Sequence, residues 1–226
     1  MGLHILYGLL LTPFVLRRTH PELIAQHWFR GLAGILGLRI QTTGRAEPGP
    51  LLLVGNHISW VDIIALCATT PVLFVSKAEV RDWPIVGLLT RAAKTLFIER
   101  GAHGTADLRR QMLDCFQHGH RIAIFPEGTT TDGTATRRFQ PRLFAVAIDG
   151  EIPVQTFALH YRQDCVAYID GGPSLFGVLW QCIAQPRIEV FVHFGPTLDA
   201  ADRRDAYAVA AQTWVSAELE TLHENY

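Results

Sequence analysis

The feature that most constrains this chain is a series of short apolar runs that alternate with helical patterns after residue 50. Runs such as Leu-Leu-Leu-Val at 51–54 and Ile-Ala-Ile-Phe at 122–125 are apolar throughout, which is typical of strands covered on both faces. The alternating order predicts an α/β fold with a largely parallel central sheet flanked by helices. We expect strands at 51–55, 72–75, 96–98, 122–125, 154–159, 166–169 and 188–194, and helices at 59–69, 84–94, 104–118, 174–184 and 200–224.

Composition excludes several classes of protein. Hydrophobic residues make up 49% of the 226 residues and charged residues 18%, which excludes a disordered chain and a coiled coil. The formal net charge of −1 argues against a general nucleic-acid binder. The four cysteines form no C-x-x-C pair and stand in apolar stretches. We therefore expect buried, reduced thiols in a cytosolic environment, without a disulfide framework or a zinc site.

The N-terminal region combines apolar runs with positive charge. Residues 5–16 are uncharged, contain Pro13 and are followed at once by Arg17 and Arg18, and a second run covers 31–38. Spanning a bilayer needs about 20 apolar residues, so both runs are too short. We expect a helical hairpin in the membrane interface, with a membrane-associating segment at 1–45 and the second domain at 46–226. This would hold the protein peripherally at the cytoplasmic face of the inner membrane; the alternative is that both runs cover a soluble core.

The first candidate for chemistry is Asn-His-Ile-Ser-Trp-Val-Asp at 56–62, directly after a predicted strand. In one ideal helix His57 and Asp62 would lie about 140° apart, so they meet only if His57 is in the turn and Asp62 opens the next helix. A histidine backed by a carboxylate is the arrangement of an oriented general base. The alternative is that His57 caps the helix and Asp62 is solvated in its first turn.

Two further motifs follow other predicted strands. Arg100 ends Phe-Ile-Glu-Arg, where its guanidinium could bind a phosphate or simply pair with Glu99. Phe-Pro-Glu-Gly-Thr at 125–129 offers the Glu127 carboxylate, the Gly128 backbone and the Thr129 hydroxyl, which together could cradle an anion. The alternative for this segment is an ordinary turn.

Taken in order, the segments NHISWVD, FIER, FPEGT and IPVQTFAL resemble the four blocks of the glycerolipid acyltransferase family, of which 1-acyl-glycerol-3-phosphate acyltransferase is the type member. The resemblance runs from about residue 50 to 195. It implies that His57 is the general base, Asp62 orients it, and Arg100 binds the acceptor phosphate, with Glu127, Gly128 and Thr129 in the acceptor site. It also implies transfer of a fatty acyl group from acyl-CoA or acyl carrier protein to a lysolipid at a membrane surface, with no metal or other cofactor and no nucleic-acid partner.

One position departs from the family pattern. Many phosphatidate-forming members carry an arginine directly after Glu-Gly-Thr, whereas this chain has Thr130. The resemblance leads us to expect 1-acyl-glycerol-3-phosphate as acceptor, with lyso-ornithine lipid or another lysophospholipid as the alternative that Thr130 favours. Two alternative functions remain. One is a thioesterase or lipase-like hydrolase in which the His–Asp pair activates water, and the other is a non-catalytic membrane-binding protein. The sequence has no G-x-S-x-G motif, which argues against an acyl-serine mechanism.

Overall fold

A computed structural model describes residues 2–4, 6–8, 20–83, 86–99, 102–168, 172, 175–199 and 202–226. The first half of the fold contains α1 (Pro21–Ile35), β1 (Leu38–Thr43), β2 (Leu51–Gly55), α2 (Val61–Thr69), β3 (Leu73–Lys77), a 3₁₀ turn (Ala78–Asp82), α3 (Val86–Ala92), β4 (Leu96–Ile98) and α4 (Ala102–Gln117). The second half contains β5 (Arg121–Ile124), a 3₁₀ turn (Pro141–Phe144), α5 (Ala145–Asp149), β6 (Val154–Tyr161), a 3₁₀ turn (Asp164–Val166), α6 (Leu175–Ala184), β7 (Ile188–Thr197) and α7 (Arg204–Asn225).

The strands form one seven-stranded sheet in the order β1-β7-β6-β2-β5-β3-β4. All neighbouring pairs are parallel except β6 and β7, which are antiparallel. The sheet has a hydrophobic core on each face, and the residues of β2 alternate between these two cores. Leu51 and Leu53 belong to the core that includes α1, α2 and α6, whereas Leu52 and Val54 belong to the core that includes α4 and α7. Helices therefore cover both faces of β2, and the predicted α/β class with a largely parallel sheet is confirmed.

Two segments differ from the sequence-based expectation. The strand expected at 166–169 is wrong, because Asp164–Val166 is a 3₁₀ turn and the backbone N–H of Tyr168 donates to the Ile58 carbonyl, not to a strand. Val166 is fully buried, so this run is apolar because it enters the core. Strand β1 was not expected. It is an edge strand whose residues after Leu38 are half-buried or exposed, so the apolar signal of a strand is weak there.

The N-terminal region packs on the domain through α1. The Gln26 side chain donates to the Thr69 carbonyl (3.0 Å) and the Arg30 side chain to the Ala68 carbonyl (2.9 Å), which ties α1 to the end of α2. Residues 2–4 and 6–8 are helical, and the His4 ring stacks on Trp28 of α1 at a centroid distance of 5.1 Å. Most of the apolar run at 5–16, with Arg17 and Arg18, lies outside the described residues. The expected segment 1–45 thus includes α1 and a strand of the sheet.

None of the helices in the described ranges combines the length and the apolar character that crossing a bilayer requires. Among the cysteines, Cys67 and Cys182 are buried, Cys115 is half-buried, and the side chain of Cys165 is not among those described. Burial raises the pKa of the Cys115 thiol to about 11, with a smaller contribution from the Asp114 charge, and burial also raises the pKa of Cys67. The thiols of Cys67 and Cys115 are therefore protonated at neutral pH and are poor nucleophiles.

Candidate active site

The loops that carry the candidate residues leave two neighbouring strands at the same edge of the sheet. β2 and β5 are parallel and adjacent, with Val54 opposite Ile124, so the loops that begin at Asn56 and Phe125 emerge side by side. The carboxyl ends of parallel strands are where α/β folds bind ligands. The Asn56 amide fixes the start of its loop, because it donates to the Leu159 carbonyl (2.9 Å) and accepts from the Leu159 N–H (2.8 Å).

His57 and Asp62 meet at this edge in the arrangement expected from their spacing. His57 lies in the turn after β2, Asp62 lies in the first turn of α2, and His57 Nδ1 is 2.6 Å from Asp62 Oδ2. The same oxygen accepts the backbone N–H groups of Ile58 (2.7 Å) and Ser59 (3.0 Å). The Asp62 side chain is fully buried, so these bonds hold both the carboxylate and the turn in one geometry.

A fourth donor to Asp62 comes from β6 and bonds the other carboxylate oxygen. The Tyr161 hydroxyl donates to Asp62 Oδ1 at 2.7 Å. Burial, and then the nearby Asp62 charge, raises the pKa of Tyr161 well above its ordinary value, so the hydroxyl keeps its proton. Sequence reasoning missed Tyr161, since it is 99 residues from Asp62 and belongs to none of the motifs. Backbone N–H groups and a protonated phenol can only donate here, which makes Asp62 the acceptor of the whole cluster.

The bond to Asp62 determines which nitrogen of His57 is available for chemistry. Because Nδ1 carries the proton that Asp62 accepts, Nε2 is the basic nitrogen. The His57 side chain is 21% exposed, so a substrate can reach it. The ring stacks on Phe125 at a centroid distance of 4.0 Å with the planes 6° apart. Phe125 therefore fixes the orientation of the imidazole, a contact that its place at the end of a strand before Pro126 could have suggested.

Glu127 lies beside His57 and is tied to the backbone. Its Oε1 accepts the His57 N–H (2.8 Å) and its Oε2 accepts the Arg137 N–H (2.7 Å). The residue is only 5% exposed, and burial raises the pKa of the carboxyl while the two backbone bonds oppose that shift. Glu127 thus joins the turn that carries His57 to the loop that carries Arg137. Contact of Glu127 with an acceptor stays a prediction.

The residues after Glu127 also contact the turn that carries His57. Gly128 is exposed and has φ of +73°, a conformation that glycine adopts without steric cost. The Thr131 N–H donates to the His57 carbonyl (2.8 Å), and the Thr130 hydroxyl donates to the Tyr168 carbonyl. Thr129 is half-buried, and Arg100 lies outside the described residues. Binding roles for Gly128, Thr129 and Arg100 remain predictions.

The arrangement can move a proton but offers no accessible serine at the motif. The Nε2 edge of His57 can accept a proton, and Asp62 can stabilise the imidazolium that results. Ser59 belongs to the same motif, but its side chain is fully buried and cannot reach a substrate. The site therefore suits activation of a hydroxyl or of water by a general base.

Comparison with known proteins finds relatives that are all acyltransferases among those compared below. Residues 38–160 match the family described as Acyltransferase. The chain is 41% identical over 143 residues to the lyso-ornithine lipid O-acyltransferase of Pseudomonas aeruginosa, covering 63% of this chain and 55% of that protein. It is 31% identical over 181 residues to the 1-acyl-sn-glycerol-3-phosphate acyltransferase of Neisseria gonorrhoeae, covering 77% and 70%. The chain thus spans about half the length of the Pseudomonas relative.

The fold also resembles a solved structure over its whole length. The crystal structure of the 1-acyl-sn-glycerophosphate acyltransferase from Thermotoga maritima aligns with a TM-score of 0.69, covering 99% of this chain and 96% of that one. The two sequences are 16% identical, so this likeness concerns the fold.

Proposed function

Because this chain belongs to the acyltransferase family, we propose that it is a lysolipid O-acyltransferase, which moves a fatty acyl group from an acyl thioester to the free hydroxyl of a lysolipid. The observation that carries the proposal is the 2.6 Å bond between His57 Nδ1 and the fully buried Asp62. An alcohol is a poor nucleophile at neutral pH, and an oriented imidazole is the group that makes it reactive.

This geometry supports the following reaction. His57 Nε2 takes the hydroxyl proton as the acceptor oxygen attacks the thioester carbonyl carbon, and Asp62 stabilises the imidazolium. The tetrahedral intermediate then collapses: the carbon–sulfur bond breaks, and the imidazolium returns the proton to the leaving thiolate. The products are the acylated lipid and a free thiol, on coenzyme A or acyl carrier protein. Among the described residues, the burial of Ser59 and the raised pKa of the Cys67 and Cys115 thiols support direct transfer without an acyl-enzyme intermediate.

For the acceptor, we favour lyso-ornithine lipid over 1-acyl-glycerol-3-phosphate. The sequence-based expectation took the phosphate-bearing lipid as the main acceptor, but the relatives support the alternative better, with 41% against 31% identity. Thr130 supports the same choice, since its hydroxyl is bonded to the Tyr168 carbonyl and a threonine cannot bind a phosphate as a guanidinium does. Ornithine is an amino acid and brings no phosphate to the headgroup.

The test is an assay of the purified chain with three acceptors and both thioester donors. We expect acylation of lyso-ornithine lipid to exceed that of 1-acyl-glycerol-3-phosphate and of a lysophosphatidylcholine. His57→Ala should lower turnover by about 10²- to 10⁴-fold, whereas His118→Ala, an exposed histidine of the same chain, should not. Free fatty acid released equally well without any lysolipid would indicate a thioesterase. No turnover with any acceptor, from folded protein and active donors, would favour the non-catalytic alternative.

We also propose peripheral membrane binding through the N-terminal residues. Leu3, Leu6 and Tyr7 are 86%, 51% and 53% exposed, an unusual degree of exposure for neighbouring large apolar side chains. Burying a leucine side chain in the acyl region gains about 1.5–3 kcal/mol. The paired change Leu3→Glu and Leu6→Glu should therefore weaken binding to vesicles of anionic phospholipid by about tenfold or more in sedimentation. The matched control is Val209→Glu, at an exposed position of α7; equal binding by both variants would refute this membrane contact.

A further inference from the structure

A cluster of three possible metal ligands lies at the edge of the sheet opposite the active site. His20 precedes α1, Glu22 lies in its first turn, and His120 directly precedes β5. Glu22 Oε1 is 2.9 Å from His20 Nδ1 and 3.0 Å from His120 Nδ1. All three ligand atoms lie within 4.8 Å of one another. Because β5 runs parallel to β2, the start of β5 and the His57 turn lie at opposite ends of these strands.

The burial of this cluster is what sets it apart from a surface ion pair. The side chains of Glu22 and His120 are each 6% exposed, while that of His20 is 44% exposed. Both imidazoles use the same carboxylate oxygen, and Glu22 Oε2 is buried without a hydrogen-bond partner among the residues that the structure describes. A buried carboxylate with one oxygen unpaired is costly, and a cation bound at Oε1 would offset its negative charge.

We infer that His20, Glu22 and His120 form a binding site for a divalent transition metal, with Zn²⁺ as the best fit. Two imidazole nitrogens and one carboxylate oxygen are a donor set that Zn²⁺ prefers, with a fourth position left for water. Ligand atoms about 2.0–2.1 Å from a tetrahedral zinc lie about 3.3 Å from one another. The separations of 2.9 and 3.0 Å to Glu22 Oε1 need to widen by only a few tenths of an ångström. The exposed His20 provides the path by which a metal enters.

The site would connect α1 to the central sheet. Glu22 and His20 belong to the start of α1, and His120 belongs to the start of β5, 98 residues from Glu22. A metal bound in the folded state and absent from the unfolded chain raises the stability of the fold. Its effect would therefore be structural: it would fix the first turn of α1 against the sheet, far from the proton transfer at His57.

The test measures Zn²⁺ binding to the full chain after treatment with a chelator. We expect one Zn²⁺ per chain by equilibrium dialysis with elemental analysis, and a rise in Tm of about 5 °C or more when free Zn²⁺ exceeds Kd by a hundredfold. His20→Ala removes a partly exposed ligand and is expected to fold. It should lower the affinity for Zn²⁺ by about tenfold or more and reduce the rise in Tm. Glu22→Gln should do the same.

The controls are His27→Ala and His118→Ala, two exposed histidines near the cluster in sequence. Both should bind Zn²⁺ with the affinity of the unaltered chain. The proposal is overturned if the unaltered chain takes up no Zn²⁺, in which case the three side chains form only a hydrogen-bonded contact. It is equally overturned if His20→Ala and Glu22→Gln both keep the full affinity, because the metal would then be bound elsewhere.

Discussion

The substitution Glu127→Gln separates two roles for the buried carboxylate beside His57. A glutamine has one oxygen and one NH₂ group, so its NH₂ must face the N–H of either His57 or Arg137, where the carboxylate now accepts bonds of 2.8 and 2.7 Å. Losing a hydrogen bond to a charged group costs about 1.5–3 kcal/mol. Glutamine avoids burying a charge, which offsets part of this cost. We expect a net loss of about 1–2 kcal/mol, or roughly 2–8 °C in Tm.

The kinetic effect distinguishes positioning from acceptor binding. If Glu127 holds the His57 turn in place, kcat should fall by about tenfold or more while the KM for the lysolipid changes little. Glu220→Gln, at an exposed position of α7, should leave Tm and kcat unchanged. Unchanged kcat and Tm with a raised KM for the lysolipid would refute this reasoning and assign Glu127 to the acceptor site, as the family resemblance implies.

The same variant has a signature in the pH dependence of stability. Burial raises the pKa of Glu127 above its ordinary value of 4.5, so the folded chain holds this proton more tightly than the unfolded chain. The stability contributed by the carboxyl therefore falls as pH rises from about 4.5 through the raised pKa. Glu127→Gln lacks this decline, so its deficit in the free energy of unfolding should shrink over that range. A constant deficit in urea titrations across the range would contradict the raised pKa.

Three further substitutions probe the supports of the site. Asp62→Asn should lower kcat by about 10²- to 10⁴-fold with little change in KM. The reason is that the asparagine NH₂ can donate to His57 Nδ1, which favours the tautomer that carries its proton on Nε2. Near-normal turnover would exclude His57, oriented by Asp62, as the general base. Tyr161→Phe removes the 2.7 Å donor to a buried oxygen and should cost about 1–3 kcal/mol in urea unfolding, whereas Tyr226→Phe should cost little. Gly55→Ala would put a β-carbon 2.5 Å from the Phe157 carbonyl oxygen and should lower Tm. Gly34→Ala should not, because no atom lies within 4 Å of a β-carbon at that position. An unchanged Tm for Gly55→Ala would show that β2 and β6 can separate there.

Local patterns predicted most of the fold. Strands such as β2 and β5 are apolar at every buried position, and their order with the helices predicted the fold class and the edge of the sheet at which His57 and Asp62 meet. The pairing of His57 with Asp62 was predictable for the same reason, because a strand end and a helix start only a few residues apart limit where the two side chains can lie. The error at 166–169 arose because burial alone makes a run apolar, whether or not its backbone joins a ladder.

The remaining features depend on contacts between distant parts of the chain. Tyr161 reaches Asp62 from a strand 99 residues away, and His120 meets Glu22 across 98 residues. Neither pair has a spacing or composition that marks it, since each forms only when a helix packs against the sheet. Strand β1 was missed because an edge strand with exposed side chains lacks the apolar run of a central strand.

The orientation of His57, the proposed base, depends on contacts from several elements. The segment from His57 to Asp62 crosses from the end of β2 into α2, and neither element alone could hold the imidazole. β5 supplies the stacking ring of Phe125, its following loop supplies Glu127, and β6 supplies the Tyr161 hydroxyl. Each contact fixes a different property: Phe125 the plane of the ring, Glu127 the turn, and Tyr161 the carboxylate. Asp62, Glu127 and Tyr161 are buried, so these supports lie beneath the partly exposed imidazole that a substrate would have to reach.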